Sequence, residues 1–127
     1  MKNDPDTVCI VDDDAAFARG LARLVEAGGW KPEVFASAEE FLAALENRAV
    51  AAGCALLDVF LPGMTGPELH AAMRIRGLEV PVVFMSGHRQ AIATLAATGN
   101  SQFLEKPISA SDLFQAIRAA LVRRDAA

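Results

Sequence analysis

The chain has 127 residues, 53% of them hydrophobic and 22% charged, which suits one domain with a buried core and excludes whole-chain disorder. Twelve Lys and Arg against sixteen Asp and Glu leave a net charge of −4, so there is no field for gripping a nucleic-acid backbone. The two cysteines, Cys9 and Cys54, sit inside apolar runs and read as buried free thiols of a reducing cytoplasm rather than as a disulfide framework.

Residues 1–6 form a flexible, polar N-terminus without the apolar stretch of a signal peptide. Val8-Cys9-Ile10-Val11 is a continuous apolar run cut off by acids, the pattern of a strand buried on both faces. A helix over 15–27 follows, with Phe17, Leu21, Leu24 and Val25 on one face and Gly28-Gly29 as its stop. Residues 33–35 make a short second strand. Ser37 and Glu40 have the spacing of a capping box, opening a second helix that carries Phe41, Leu42 and Leu45. Residues 54–57 form a third buried strand that ends at Asp58. Pro62-Gly63 and Gly66 mark a loop, and Pro67 suits the first turn of a third helix reaching Arg76, with Leu69 and Met73 inward. The fourth strand is 80–85, with Pro81 near its start. An Ala- and Thr-rich helix over 90–98 follows. The longest uncharged stretch, 90–104, is too short and too polar to cross a bilayer. Residues 102–104 make a fifth strand, and 109–124 the last helix, striped by Leu113, Ile117 and Leu121. Residues 125–127 are a tail.

Five strand–helix pairs argue an α/β domain over 7–124, with a parallel sheet covered by helices on both faces. Ligands of such sheets bind outside the carboxyl ends of the strands. Those ends carry Asp12, Asp13 and Asp14, then Asp58, then Ser86 before Gly87, then Lys106 before Pro107. Carboxylates gathered in one crevice repel and raise one another's pKa. A cation among them relieves this, and hard oxygen ligands suit Mg2+. A metal, the Lys106 ammonium and the Ser86 hydroxyl together make a phosphoryl-binding set, leaving a carboxylate free to act as nucleophile. Taken singly, Asp14 reads as a helix N-cap, Ser86 as a turn residue and Lys106 as a surface lysine. His70 and His88 read as plain polar surface residues, and Arg118, Arg123 and Arg124 as a solvated basic helix end that favours the helix dipole. Asp58 is different: packing does not explain a charge between an apolar strand and a Pro-Gly loop. Asp12, Asp13, Asp14 and Asp58 also account for the net charge, since without them twelve charges of each sign remain.

Across residues 7–124 the chain resembles a receiver domain of the two-component response regulators. The resemblance is carried by Val11-Asp12-Asp13-Asp14, by 57–66 (Leu57-Asp58-Val59-Phe60-Leu61-Pro62-Gly63-Met64-Thr65-Gly66), by 83–87 (Val83-Phe84-Met85-Ser86-Gly87) and by 103–107 (Phe103-Leu104-Glu105-Lys106-Pro107). It implies a doubly wound, flavodoxin-like (CheY-like) sheet of order 2-1-3-4-5. It also implies that Asp58 accepts a phosphoryl group from a sensor histidine kinase or phosphotransfer protein. Asp13, Asp58 and the Phe60 carbonyl would bind Mg2+ (or Mn2+) directly, and Asp12 through water. Lys106 would pair with the phosphoryl oxygens and Ser86 would swing in to hydrogen-bond them. Phe103 would turn inward as an aromatic switch, and the Lys106–Pro107 peptide would be cis, which a proline makes affordable. Phe60 and His88, two residues beyond the acceptor and the hydroxyl, are placed to screen attacking water and lengthen the phosphorylated lifetime.

The implied function is a switch rather than a turnover enzyme, biasing the surface of the fourth helix, fifth strand and fifth helix toward an effector protein or an output domain. Homodimer formation on phosphorylation belongs to the same expectation, with no direct nucleic-acid or membrane contact. Residues 35–42 and the Gly87-His88 pair are similar to receivers attached to helix-turn-helix transcription factors. One departure stands out: the spacing from Ser86 to Lys106 is slightly shorter than the family pattern. Two other readings fit parts of the sequence. A haloacid-dehalogenase-like phosphatase would use the Asp12-x-Asp14 pair with Asp12 as nucleophile, though it leaves Asp58 unexplained and lacks a late pair of acids. A receiver-fold interaction module would never use a phosphate.

Overall fold

The computed structural model describes residues 6–96 and 102–126. Ten elements alternate along the chain: β1 (Thr7–Val11), α1 (Ala15–Ala27), β2 (Lys31–Phe35), α2 (Ala38–Glu46), β3 (Cys54–Asp58), α3 (Gly66–Ile75), β4 (Val82–Ser86), α4 (Arg89–Ala96), β5 (Gln102–Glu105) and α5 (Ala110–Ala126). The strands pair in parallel in the order β2-β1-β3-β4-β5.

Alternation along each strand sorts the core into two layers. Cys9, Val11, Ala55, Leu57, Val82 and Phe84 pack with Phe41, Leu42 and Leu45 of α2 and Leu69 and Met73 of α3. Val8, Ile10, Cys54, Leu56, Val83 and Met85 pack with Leu21 and Val25 of α1 and Leu113 and Ile117 of α5. Cys9 and Cys54 are both buried and free, one in each layer. Burial drives the Cys9 and Cys54 thiols up to about 12, so they behave as apolar packing groups. Each large aliphatic side chain so buried contributes roughly 1.5–3 kcal/mol. β2 is the exposed edge, where Pro32 costs the sheet little.

Element ends differ from the sequence reading for identifiable reasons. The β3–β4 ladder opens with Ala55 N–H donating to the Pro81 carbonyl at 2.9 Å, so β4 proper starts at Val82 and reaches Ser86. Ser109 stays outside α5 as its cap, with Oγ accepting from Asp112 N–H at 3.1 Å. α5 runs to Ala126, through most of the expected tail. Ser37 caps α2 by accepting from Glu40 N–H at 3.1 Å. The two-way capping box forms at Thr65 and Glu68 on α3, with bonds of 2.9 and 3.2 Å. Gly29, at φ +99°, makes the turn out of α1 that a side chain would strain. Residues 1–5, Thr98 and the Gly99-Asn100 pair lie outside the described residues. No described helix is long and apolar enough to cross a membrane.

Candidate functional site

The carboxyl ends of β1, β3, β4 and β5 are adjacent, and each adds a polar group to one crevice. Val11 of β1 stands beside Leu57 of β3, so Asp12 and Asp58 each follow an apolar neighbour off the same sheet edge. Asp58 is level with Met85 of β4, and Ser86 with Glu105 of β5. Two backbone bonds tie the ends together: Val59 N–H donates to Met85 O, and Lys106 N–H to Ser86 O, each at 2.9 Å.

Carboxylate oxygens of Asp12, Asp13 and Asp58 lie within 4.8 Å of one another. Asp12 and Asp58 are buried, whereas Asp13 is exposed and opens the cluster to solvent. Asp12 is held on both oxygens. Its Oδ1 accepts from Asp14 N–H at 2.9 Å, and its Oδ2 accepts from Lys106 Nζ at 2.8 Å. The Lys106 ammonium stands 3.5 Å from Asp58 Oδ1. Burial raises the Asp58 pKa above the ordinary carboxylate value. The neighbouring Asp12 charge raises it further, while Lys106 and the Phe60 N–H pull it down. Three carboxylates thus face one ammonium.

That surplus of negative charge is one that a bound cation would offset. Ligands opposite one another on an octahedral Mg2+ are about 4.2 Å apart at bonds of about 2.1 Å. Three oxygens inside 4.8 Å, one of them open to water, fit such an ion.

Ser86 is buried, and its Oγ accepts from His88 N–H at 2.9 Å. That bond uses a lone pair and leaves the hydroxyl proton available to an incoming acceptor. Phe60 is 53% exposed, and its ring meets that of His88 edge-on at 4.9 Å. The two residues proposed to screen water are therefore in contact with each other. Phe103 is half-buried and stacks on Phe84 with centroids 5.9 Å apart. The Lys106–Pro107 peptide is cis. Asp14 caps α1, its carboxylate accepting from Phe17 N–H at 3.1 Å.

Four features were not foreseen. The Lys106 ammonium lies 4.2 Å from the centroid of Phe17, a residue that the helical periodicity assigns simply to the core. Its position three residues past Asp14, one turn above the strand ends, was the available signal. Gly66 matters for close approach: a Cβ there would meet the Asp58 carbonyl oxygen at 2.5 Å. His70 is half-buried rather than a plain surface residue. Its ring meets Phe84 at 5.7 Å, and burial, then the nearby Arg74 and Arg123, lowers its pKa. Arg123 is more than a solvated helix end, since it donates to the Val82 carbonyl at 3.1 Å, and Arg118 lies near the Trp30 and Phe114 rings.

This geometry lends the phosphatase reading no support. Asp12 is buried with both oxygens engaged, and Asp14 is committed to a helix cap.

Comparison with known proteins agrees with the geometry. The family model described as the response regulator receiver domain matches residues 8–118. The response regulator protein TodT of Pseudomonas putida is 37% identical over 123 residues, covering 95% of this chain and 53% of its own length. The transcriptional regulatory protein FixJ of Azorhizobium caulinodans is 36% identical over 118 residues, covering 91% of this chain and 55% of its own. The chain thus spans about half the length of the curated relatives it matches. A response regulator receiver domain from Clostridium thermocellum superposes with a TM-score of 0.83 over 94% of this chain and 97% of that one. At 22% identity, that is a likeness of fold.

Proposed function

The chain belongs to the response regulator receiver family, and from that premise we propose that it is a phosphorylation-dependent signalling switch whose phospho-acceptor is Asp58. The observation that carries the proposal is the setting of Asp58. It is a buried carboxylate at a strand end, 3.5 Å from the Lys106 ammonium and clustered with Asp12 and Asp13.

Each residue has a distinct task. An Asp58 oxygen attacks the phosphorus of a phosphohistidine on a sensor kinase or phosphotransfer protein; the new O–P bond forms as the N–P bond breaks. Asp13, Asp58 and the Phe60 carbonyl would hold Mg2+ or Mn2+, with Asp12 acting through water. When bound, the ion supplies positive charge to the phosphoryl oxygens. Lys106 pairs with those oxygens, and the Ser86 hydroxyl turns its free proton toward them. Phosphorylation adds roughly one negative charge to a pocket already short of positive charge. Drawing Ser86 inward vacates space for Phe103, and this couples the pocket to the surface of α4, β5 and α5. Phe60 and His88, whose rings meet edge to face, would screen the phosphoryl group from a hydrolytic water.

The role is a cytoplasmic switch rather than a turnover enzyme. Its downstream partner is an effector protein or an output domain, including one that regulates transcription, and phosphorylation can drive homodimer formation. The test is incubation with Mg2+ and acetyl phosphate, read by intact mass. A shift of one phosphoryl group on the unmodified chain, absent from Asp58→Asn, is the expected result. Labelling that persists in Asp58→Asn contradicts the assignment of the acceptor. No labelling under any donor favours a pure interaction module.

A further inference from the structure

Phe17 lies outside the set of strand-end residues, yet it touches one of them. Its backbone N–H is capped by Asp14, which fixes the first turn of α1 beside the acid cluster. Its half-buried ring lies 4.2 Å from the Lys106 ammonium, well within the roughly 6 Å over which a ring face attracts a cation.

Besides its 3.5 Å approach to Asp58 Oδ1, Lys106 is already held at two points. Its backbone N–H donates to Ser86 O at 2.9 Å, and its ammonium donates to Asp12 Oδ2 at 2.8 Å. The Asp12 bond is directional and occupies one of the three ammonium protons. A phosphoryl group on Asp58 needs one of the other two protons directed toward itself, and the Asp12 bond alone leaves the ammonium free to swing about that bond. A ring face has no preferred donor direction. It holds the charge in place while the protons are redistributed, a restraint that an aliphatic side chain of similar size does not provide.

We infer that Phe17 is a positioning residue: its ring face holds the Lys106 ammonium over the acid cluster and so preorganises it for the phosphoryl group. The inference rests on the phospho-acceptor reading of Asp58.

Phenylalanines carrying one, two or three fluorines, placed site-specifically at position 17, keep the ring's shape while draining electron density from its face. Mg2+ with beryllofluoride serves as the phosphoryl probe, and 19F NMR of the bound fluorides gives the affinity. The affinity falls stepwise with fluorine count, by about fivefold at the trifluoro ring, while affinity for Mg2+ alone is unchanged. The same series at Phe114 is flat. A flat or rising series at position 17 overturns the inference.

A second readout needs no phosphoryl probe. The chain has three lysines, Lys2, Lys31 and Lys106, so carbon-13 labelling resolves the Lys106 ε-methylene. Its protons are displaced by the Phe17 ring current and return to the ordinary lysine position in Phe17→Leu. Protons undisplaced in the unmodified chain overturn the contact. If the unmodified chain takes up no beryllofluoride, the phospho-acceptor reading fails and takes the preorganising role with it, even where the ring contact itself is present.

Discussion

β3 holds two chemistries in five residues. Cys54, Ala55, Leu56 and Leu57 bury apolar side chains on both faces of the sheet, and Asp58, next in line, buries a carboxylate. The same turn from apolar to polar occurs at Val11 and Asp12 on β1 and at Met85 and Ser86 on β4. The body of the sheet is satisfied by shape alone. The ends are electrostatically unfinished, with three carboxylates against one ammonium. Packing gains nothing from burying charge there, since each desolvated carboxylate costs stability unless paired. The contrast locates stability in the lower sheet and chemistry at its rim.

The largest effect that separates the two regions comes from the body. Phe41 is fully buried against Phe35, and Phe41→Ala lowers stability by about 3–5 kcal/mol, measured by urea denaturation. Molecules of this variant that remain folded still label at Asp58.

At the rim the sign reverses. Because the folded-state pKa of Asp58 lies above its unfolded value, this carboxyl favours folding only where it is protonated. That contribution is present below about pH 3.9 and lost as pH rises through the raised folded value. Without Mg2+, Asp58→Asn is therefore more stable than the unmodified chain at pH 7. Acidification through the raised value closes the gap, and so does adding Mg2+ at pH 7. Denaturation midpoints across pH, with and without Mg2+, check both statements.

His70 makes the opposite case within the body. Its folded pKa is lowered by burial, so the unfolded chain takes up the proton more readily. Stability that is intact above about pH 6.5 declines as pH falls toward the lowered value. His70→Phe removes this slope, and an unchanged slope between pH 7 and pH 5 would show that the imidazole is not held neutral by its packing against Phe84. The smallest effect is kinetic. Phe60→Ala opens one side of the Phe60–His88 pair and shortens the phosphorylated lifetime severalfold, read as the decay of labelled protein after the donor is removed. Unchanged decay would mean that the pair does not screen water.

Much of the contrast could be read from the amino-acid order. Apolar runs ending at Asp12, Asp58 and Ser86 located both the buried strands and the crevice, because a parallel strand buried on both faces leaves few explanations for a charge at its tip. What escaped depends on neighbours distant in sequence. Phe17 fits the core stripe of α1, and only the return of β5 brings Lys106 to its ring. His70 and Arg123 look solvated along their own helices. Their partners, Phe84 and the Val82 carbonyl, belong to β4. Gly66 was legible as a loop residue, but its need to pass within contact of the Asp58 carbonyl was not. The segment between Ser86 and Lys106, whose spacing is short, includes residues 97–101, which lie outside those described.

The most direct test identifies the atom that receives the phosphoryl group. Borohydride reduces an aspartyl phosphate to homoserine, and peptide mass spectrometry locates the reduced residue. After incubation with Mg2+ and acetyl phosphate, phosphoryl transfer to Asp58 predicts homoserine at position 58, with Asp12 and Asp13 unaltered. Homoserine at position 12, or a chain that carries phosphoryl label yet shows no reduced residue at 58, would contradict it.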